Sequence, residues 1–185
     1  MLDETPLSAT WAAMEDAQAL GKTRAIGVAN FDVPHLQALL RTAKIVPAAN
    51  QIEMHPYLPQ ARVMAFCARH DIVPVAYSPL GSRGVLGGGH RAVIDDAAVR
   101  EVAKRRGITL AQVLIGWALA RGTPVIPKTG HVERMCENMA SQPLADEDVA
   151  FISAKATSRV RYCDPVDFWS LQCFESDTDT LSEAS

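Results

Sequence analysis

Pro124-Val125-Ile126-Pro127-Lys128-Thr129-Gly130-His131-Val132-Glu133-Arg134-Met135-Cys136-Glu137-Asn138 reads as a short buried strand that runs straight into the start of a helix. Lys128 leaves the strand end, Arg134 sits in the early helix, and Glu137 and Asn138 lie one turn further on. A helix N-terminus attracts anions through its free N–H groups and its dipole. Two cations there suit a phosphate monoester, and the acid–amide pair suits a base edge. Taken alone, the segment is read more simply as a solvated helix start with ordinary surface charges. The weighting turns on whether the rest of the chain repeats this strand-to-helix unit.

The unit does repeat. Upstream, Thr109 and Gln112 form a capping-box pattern for a helix carrying Val113, Leu114, Trp117 and Leu119, which Gly122 ends. Asp95 or Asp96 opens the helix before it, and Gly107 closes that one. A glycine-rich loop through Gly81, Gly84 and Gly87-Gly88-Gly89 precedes them. Val73 to Tyr77 reads as a strand, so its Pro74 must fall near the strand start or at a bulge. Val63, Phe66 and Cys67 share one face of a helix, which follows a strand at Ala48 to Ile52. Asp32 caps another helix, with Pro34 in its first turn and a buried stripe of Leu36, Leu39 and Leu40. A strand at Ala25 to Val28 leads into it. The first helix starts at Ser8 or Thr10, carries Trp11, Met14 and Leu20, and stops at Gly21. Downstream of the opening stretch, helices are expected from Val132 to Ser141 and from Asp146 to Lys155. Arg161 to Phe174 reads as an aromatic-rich loop, and Glu175 to Ser185 as a disordered acidic tail.

Four strands alternating with helices predict an α/β fold with a parallel sheet and right-handed crossovers. In such sheets ligands gather at the carboxyl ends of the strands. Asn30, Gln51, Tyr77, Ser78 and Lys128 all fall at or just past predicted strand ends. Polar and aromatic groups at equivalent points of successive units predict one shared ligand-binding mouth.

A chain of 185 residues is long enough for one domain with a full core. A net charge of -3 and the lack of a basic tract argue against nucleic acid as a partner. The longest strongly apolar stretch, Val113 to Ala120, is too short to span a bilayer. The acidic start Met1-Leu2-Asp3-Glu4-Thr5 lacks the apolar core of a signal peptide. Cys67, Cys136, Cys163 and Cys173 are scattered and read as reduced thiols, so a cytoplasmic location is expected. The histidines are dispersed, and no metal site is expected. His55 reads as a loop histidine.

Four of these segments, in order, resemble the aldo-keto reductases, the NADPH-dependent (β/α)8-barrel carbonyl reductases. Gly21-Lys22-Thr23-Arg24-Ala25-Ile26-Gly27-Val28-Ala29-Asn30-Phe31 looks like the family's Gly-Lys-x-Arg-x-Ile-Gly-Val-Ser-Asn-Phe segment. Asn50-Gln51-Ile52-Glu53-Met54-His55-Pro56 and Ala76-Tyr77-Ser78-Pro79-Leu80-Gly81 are similarly close. Ile126-Pro127-Lys128-Thr129 with Arg134 and Glu137-Asn138 completes the set. The resemblance runs from about Trp11 to Pro165. It implies a partial aldo-keto reductase domain over 1–165, the C-terminal half of a (β/α)8 TIM barrel, followed by a loop and tail over 166–185.

The resemblance also implies roles. Asn30 and Gln51 would hydrogen-bond the nicotinamide carboxamide of NADPH, and Tyr77 would stack on its ring. Ser78, Leu80 and Ser82 would meet the pyrophosphate, under the glycine-rich loop. Lys128, Thr129 and Arg134 would hold the 2′-phosphate, and Glu137 and Asn138 the adenine. Ala29 replaces the family's serine and removes a hydroxyl donor; Thr129 replaces a frequent serine and keeps the hydroxyl. Taken singly, Asn30 serves equally as a turn residue before the Asp32 helix, Tyr77 as a core aromatic, Gln51 as a solvated strand end, and the glycines as a linker.

The family's catalytic Asp, Tyr, Lys and His belong to the first half of the barrel and have no counterpart here. The tyrosines Tyr57, Tyr77 and Tyr162 and the lysines Lys22, Lys44, Lys104, Lys128 and Lys155 suggest no substitute dyad. The expected function is therefore the cofactor-binding part of an enzyme reducing small aldehydes or ketones to alcohols, with no catalytic residue of its own. The rival expectation is a non-catalytic NADPH-binding or scaffold protein. Four βα units also leave open barrel edges, and each inner side chain left wet loses roughly 1.5–3 kcal/mol. Against a net stability of about 5–15 kcal/mol, the isolated chain is expected to be unstable or to self-associate through those edges.

Overall fold

Local hydrogen bonding accounts for most of the helix boundaries in the computed structural model, which describes residues 5–81 and 92–163. Most of the glycine-rich loop, the predicted boundary at 165/166 and the acidic tail lie outside the described residues. The described chain forms two compact units, residues 5–52 with 61–74, and residues 53–60 with 75–81 and 92–163.

In the first unit, α1 (Leu7–Ala19) starts before the expected Ser8 or Thr10. Pro6 supplies its N-cap position, and its carbonyl accepts from the Ala9 and Thr10 amides at 2.9 and 3.2 Å. No side chain caps this start, so its first N–H groups carry no hydroxyl signature and Ser8 and Thr10 fall inside the helix. Trp11 is buried and donates through Nε1 to the Ile45 carbonyl at 3.1 Å, while Leu20 is largely exposed beyond the helix end. Glu15 Oε1 accepts from the amides of Lys44 and Ile45 at 2.7 and 2.9 Å. These bonds tie α1 to the segment entering the second strand.

The first strand, β1 (Val28–Ala29), is shorter and later than expected, although the Ile26 carbonyl still accepts from Ala48 at 2.8 Å. Asp32 caps α2 (Val33–Leu40) by accepting from the His35 amide at 3.0 Å, with Pro34 in the first turn. The strand β2 (Ala49–Glu53) pairs in parallel with β1, Val28 with Asn50 and Ala29 with Gln51. Helix α3 (Ala61–Arg69) buries Val63, Phe66 and Cys67 as its spacing predicts. They form a core with Leu36, Ile52 and Ile72, each large apolar member worth about 1.5–3 kcal/mol of burial.

The strand β3 (Val73–Tyr77) has the expected bounds, and Pro74 sits second in it. The Val73 amide before it donates to Ala48 at 3.1 Å, and further along the strand Ala76 donates to Pro124 at 2.8 Å. In the second unit a helical turn at Val93–Asp95 leads into α4 (Ala97–Arg106), capped by Asp96 and closed on Gly107. The capping box of Thr109 and Gln112 opens α5 (Leu110–Ala120), which buries Val113, Leu114, Ile115 and Trp117. Gly116 is required in mid-helix, because a Cβ there would lie 2.6 Å from the Gln142 carbonyl oxygen.

The strand β4 (Val125–Ile126) pairs in parallel with β3, Tyr77 with Ile126. The expectation of a buried strand fails, since Ile126 is 47% exposed. Helix α6 (Val132–Met139) ends two residues early, and α7 (Asp146–Lys155) has the expected bounds. The buried Asp148 in the first turn of α7 accepts from Arg105 and from Arg106 Nε at 2.6 Å. Burial pushes its carboxyl up, but the two guanidinium groups outweigh that and hold it below the usual range.

Candidate functional site

The residues expected to hold a nicotinamide carboxamide are in the first unit. Asn30 immediately follows β1 and takes a left-handed φ of 59°, a conformation tolerated by asparagine. Its amide donates to the Gln51 carbonyl at 2.9 Å. Its side-chain Oδ1 is buried and has no hydrogen-bond partner among the described residues. Gln51 is exposed and lies within β2, not at its end, because the strand continues to Glu53. Asn50, next to it, is fully buried and exchanges two bonds with the Phe31 backbone at 3.3 and 2.8 Å.

The other candidates are in the second unit. Tyr77 ends β3, half-buried, with its carbonyl accepting from Met54 at 3.3 Å. Ser78 follows at φ 47°, and its carbonyl accepts from Gly81 at 2.9 Å, so residues 78–81 form a tight turn that includes Leu80. Ser82 lies outside the described residues. Lys128, just past β4, is exposed, and Thr129 Oγ1 accepts from the His131 amide at 3.2 Å. No side chain caps the start of α6 at His131, so none occupies its first-turn N–H groups as an N-cap.

Arg134 projects from that turn, exposed, and Glu137 follows, also exposed, its carbonyl accepting from Gln112 Nε2 at 3.0 Å. Asn138 is half-buried, and its Oδ1 is a second buried acceptor without a partner. Among the described residues, Lys128 and Arg134 take part in no ion pair. Two free cations beside an uncapped helix start form an anion-attracting surface.

The described residues hold no group of three potential metal ligands and no helix long and apolar enough to cross a membrane. A cavity of about 420 Å³ is lined by Tyr57, Asp96, Glu101, Phe151 and Lys155 among others, and by none of the cofactor candidates. It brings a tyrosine and a lysine together, but the Tyr57 hydroxyl donates to Asp96 Oδ2 at 2.7 Å. A phenol committed to a carboxylate is not a free proton donor.

Residues 3–157 match the profile described as "Aldo/keto reductase family". The chain belongs to the aldo/keto reductase family. It is 44% identical over 158 residues to glycerol 2-dehydrogenase (NADP(+)) of Hypocrea jecorina, covering 85% of this chain and 49% of that protein. It is 40% identical over 156 residues to NADPH-dependent codeinone reductase 1-2 of Papaver somniferum, covering 83% of this chain and 48% of the relative. A solved aldose reductase from Giardia lamblia superposes with a TM-score of 0.86 at 34% identity, over 95% of this chain and 59% of that one. The chain thus spans about half the length of the curated relatives it matches, and its four parallel strands match part of a reductase barrel.

Two features of this family member were missed in the sequence. His55 lies in the loop after β2 as expected, but it is buried at 1% exposure, and its Nε2 meets Glu53 Oε1 at 2.9 Å. Glu53 itself is fully buried. The one available signal was an ionisable pair two residues apart directly after the apolar Ile52, and that spacing alone does not reveal a partner.

Proposed function

We propose that this chain is the C-terminal, cofactor-binding half of an aldo/keto reductase barrel, and that NADPH is the cofactor. In the whole protein the reaction would be reduction of a small aldehyde or ketone to the alcohol, with NADPH supplying hydride. The observation that carries the reading is the pair of unpaired cations, Lys128 and Arg134, at the uncapped start of α6. They suit the 2′-phosphate, with Thr129 beside them. Two of the unpartnered buried polar atoms, one in each unit, suit the groups assigned to them. Asn138 Oδ1 lacks the donor that an adenine amino group would provide, and Asn30 Oδ1 lacks the donor that a carboxamide would provide. Leaving such buried acceptors unmet is unfavourable, so a ligand donor is the natural complement.

The remaining roles follow the family. Gln51 assists Asn30, Tyr77 stacks on the nicotinamide ring, Ser78, Leu80 and Ser82 meet the pyrophosphate, and Glu137 joins Asn138 at the adenine. The names of two relatives support the cofactor, one containing NADP(+) and the other NADPH. The chain alone binds and orients; it contributes no proton donor.

Fluorescence titration with NADPH and NADH tests this. Tighter NADPH binding is expected, and replacing both Lys128 and Arg134 by alanine should remove the preference, a loss of about 100-fold for two charge-assisted contacts. Unchanged discrimination in the double variant would refute the clamp. With NADPH and a broad-spectrum aldehyde, no oxidation above a protein-free control is expected; turnover would show that a proton donor exists in this chain. Light scattering after size exclusion should show self-association or aggregation, and a monomer with a sharp thermal transition would refute the open-edge expectation.

A further inference from the structure

Glu53 ends β2 with a side chain that has no exposure to water. An unpaired carboxylate there would be strongly disfavoured. Its oxygens are instead fully engaged: Oε1 accepts from the Tyr162 amide at 2.7 Å and meets His55 Nε2 at 2.9 Å, and Oε2 accepts from the Cys163 amide at 2.9 Å. Burial pushes this carboxyl up, but the His55 bond and charge, then the two amides, hold it below the usual range. The amide bonds reach across 109 and 110 residues of sequence, so they fasten a distant segment to the end of a strand.

The fastened dipeptide is positioned on every side. The Tyr162 hydroxyl oxygen accepts from the Val93 amide at 3.0 Å, and its ring lies 5.0 Å from that of His55. Gly81 leaves room for that ring, since a Cβ there would be 3.0 Å from Tyr162 Cε2 and 2.7 Å from Val93 Cγ1. Gly81 closes the turn that Ser78 opens. Cys163 Sγ lies 3.7 Å from Ser78 Oγ, within hydrogen-bonding reach for sulfur. Ser78 holds φ 47°, a left-handed backbone that serine keeps only where its surroundings define it.

We propose that Glu53 is a positioning residue for the cofactor site: by pinning the Tyr162 and Cys163 amides it holds Cys163 against Ser78 and sets the Ser78 hydroxyl for the pyrophosphate. This rests on the assignment of Ser78 given above. A buried carboxylate that never touches the cofactor then governs one of its contacts. The linkage is reciprocal, so bound NADPH strengthens the hold on Tyr162 and Cys163.

Hydrogen exchange and NADPH titration of the full chain test it. In Glu53→Gln the amide group keeps one acceptor and turns a donor toward an N–H, so exchange at Tyr162 and Cys163 should quicken at least about tenfold. NADPH affinity should fall about tenfold in that variant, but less than about twofold when Ser78 is already alanine, because the two changes remove one shared contact. Cys163→Ala should keep the exchange protection and still weaken NADPH as Ser78→Ala does.

Intact protection in Glu53→Gln would overturn the clip. Lost protection with unchanged NADPH affinity, or additive effects with Ser78→Ala, would overturn the link to Ser78. If Glu53→Gln does not fold, the Cys163→Ala and Ser78→Ala pair decides, and additivity there overturns the link. If the unaltered chain binds no NADPH, the functional reading fails and the link to the cofactor falls with it, while exchange at the two amides still decides the clip.

Discussion

Helices α5 and α6 belong to the same unit, yet they relate to the core in opposite ways. Helix α5 buries Val113, Leu114, Ile115, Gly116, Trp117 and Ala118, and α6 buries none of its residues. The apolar side of α6 is solvent-facing instead, with Val132, Met135 and Met139 at 68, 46 and 85% exposure. An amphipathic pattern shows that a helix has an apolar face; it does not say that anything covers that face. The difference separates two kinds of residue. Side chains on α5 hold the fold, so they tolerate little change. Those on the polar side of α6 hold little, so they are free to serve a ligand.

The largest test of this contrast is Trp117→Ala. Trp117 is 1% exposed, donates to Ser153 Oγ at 3.1 Å, and stacks under the Arg121 guanidinium 4.3 Å from its ring centre. Its loss should cost about 3–5 kcal/mol in chemical denaturation. A cost below about 1 kcal/mol would mean that α5 does not carry the core.

Next is Asp148→Ala, which leaves Arg105 and Arg106 without their shared carboxylate. Those arginines are 44 and 40% exposed, so water recovers part of the loss and about 2 kcal/mol is expected. The same residue sets an acid limit. Asp148, Glu53 and Glu15 all have lowered carboxyl pKa values, Glu15 chiefly through its bond from the Ile45 amide. Their stabilisation is complete above the unfolded carboxylate range, about pH 4–4.5, and is lost as pH falls through the lower folded values. Melting temperature should therefore drop on acidification below about pH 4.5, and more gently in Asp148→Ala. An equal slope in both proteins would remove Asp148 from this account.

Thr109→Ala breaks the capping box at the start of α5, whose two bonds measure 3.0 and 3.2 Å, and should cost about 1 kcal/mol. The smallest effect belongs to α6 and its approach: Lys128→Ala with Arg134→Ala should move stability by less than about 0.5 kcal/mol while changing cofactor preference. Should the double variant unfold instead, its cations hold the fold and the contrast with α5 collapses.

Much of this architecture can be read from residues a few positions apart. Asp32, Asp96 and the Thr109–Gln112 pair all cap as expected, because a cap is a bond to an amide two or three residues away. The bounds of β3 and α7 follow from similarly local patterns. Reading fails where a distant neighbour decides. β1 and β4 shrink to two residues each, and Ile126 stays half-open where a buried strand was expected. Gln51 lies inside β2, since the strand's length depends on its partners. Candidates such as Lys128 and Arg134 were visible as residue types, but their freedom from carboxylate partners is a property of the folded surface.

By itself, then, the sequence determined the alternation of strands and helices, their caps and stops, and the motifs of the aldo/keto reductase family. Each depends on local backbone chemistry or on residue order. Tertiary structure alone decided that Glu53 and His55 are buried, that the carboxylate's amide partners are Tyr162 and Cys163, and that Cys163 meets Ser78. A buried charge must find donors wherever packing brings them, and here that is more than a hundred residues along the chain.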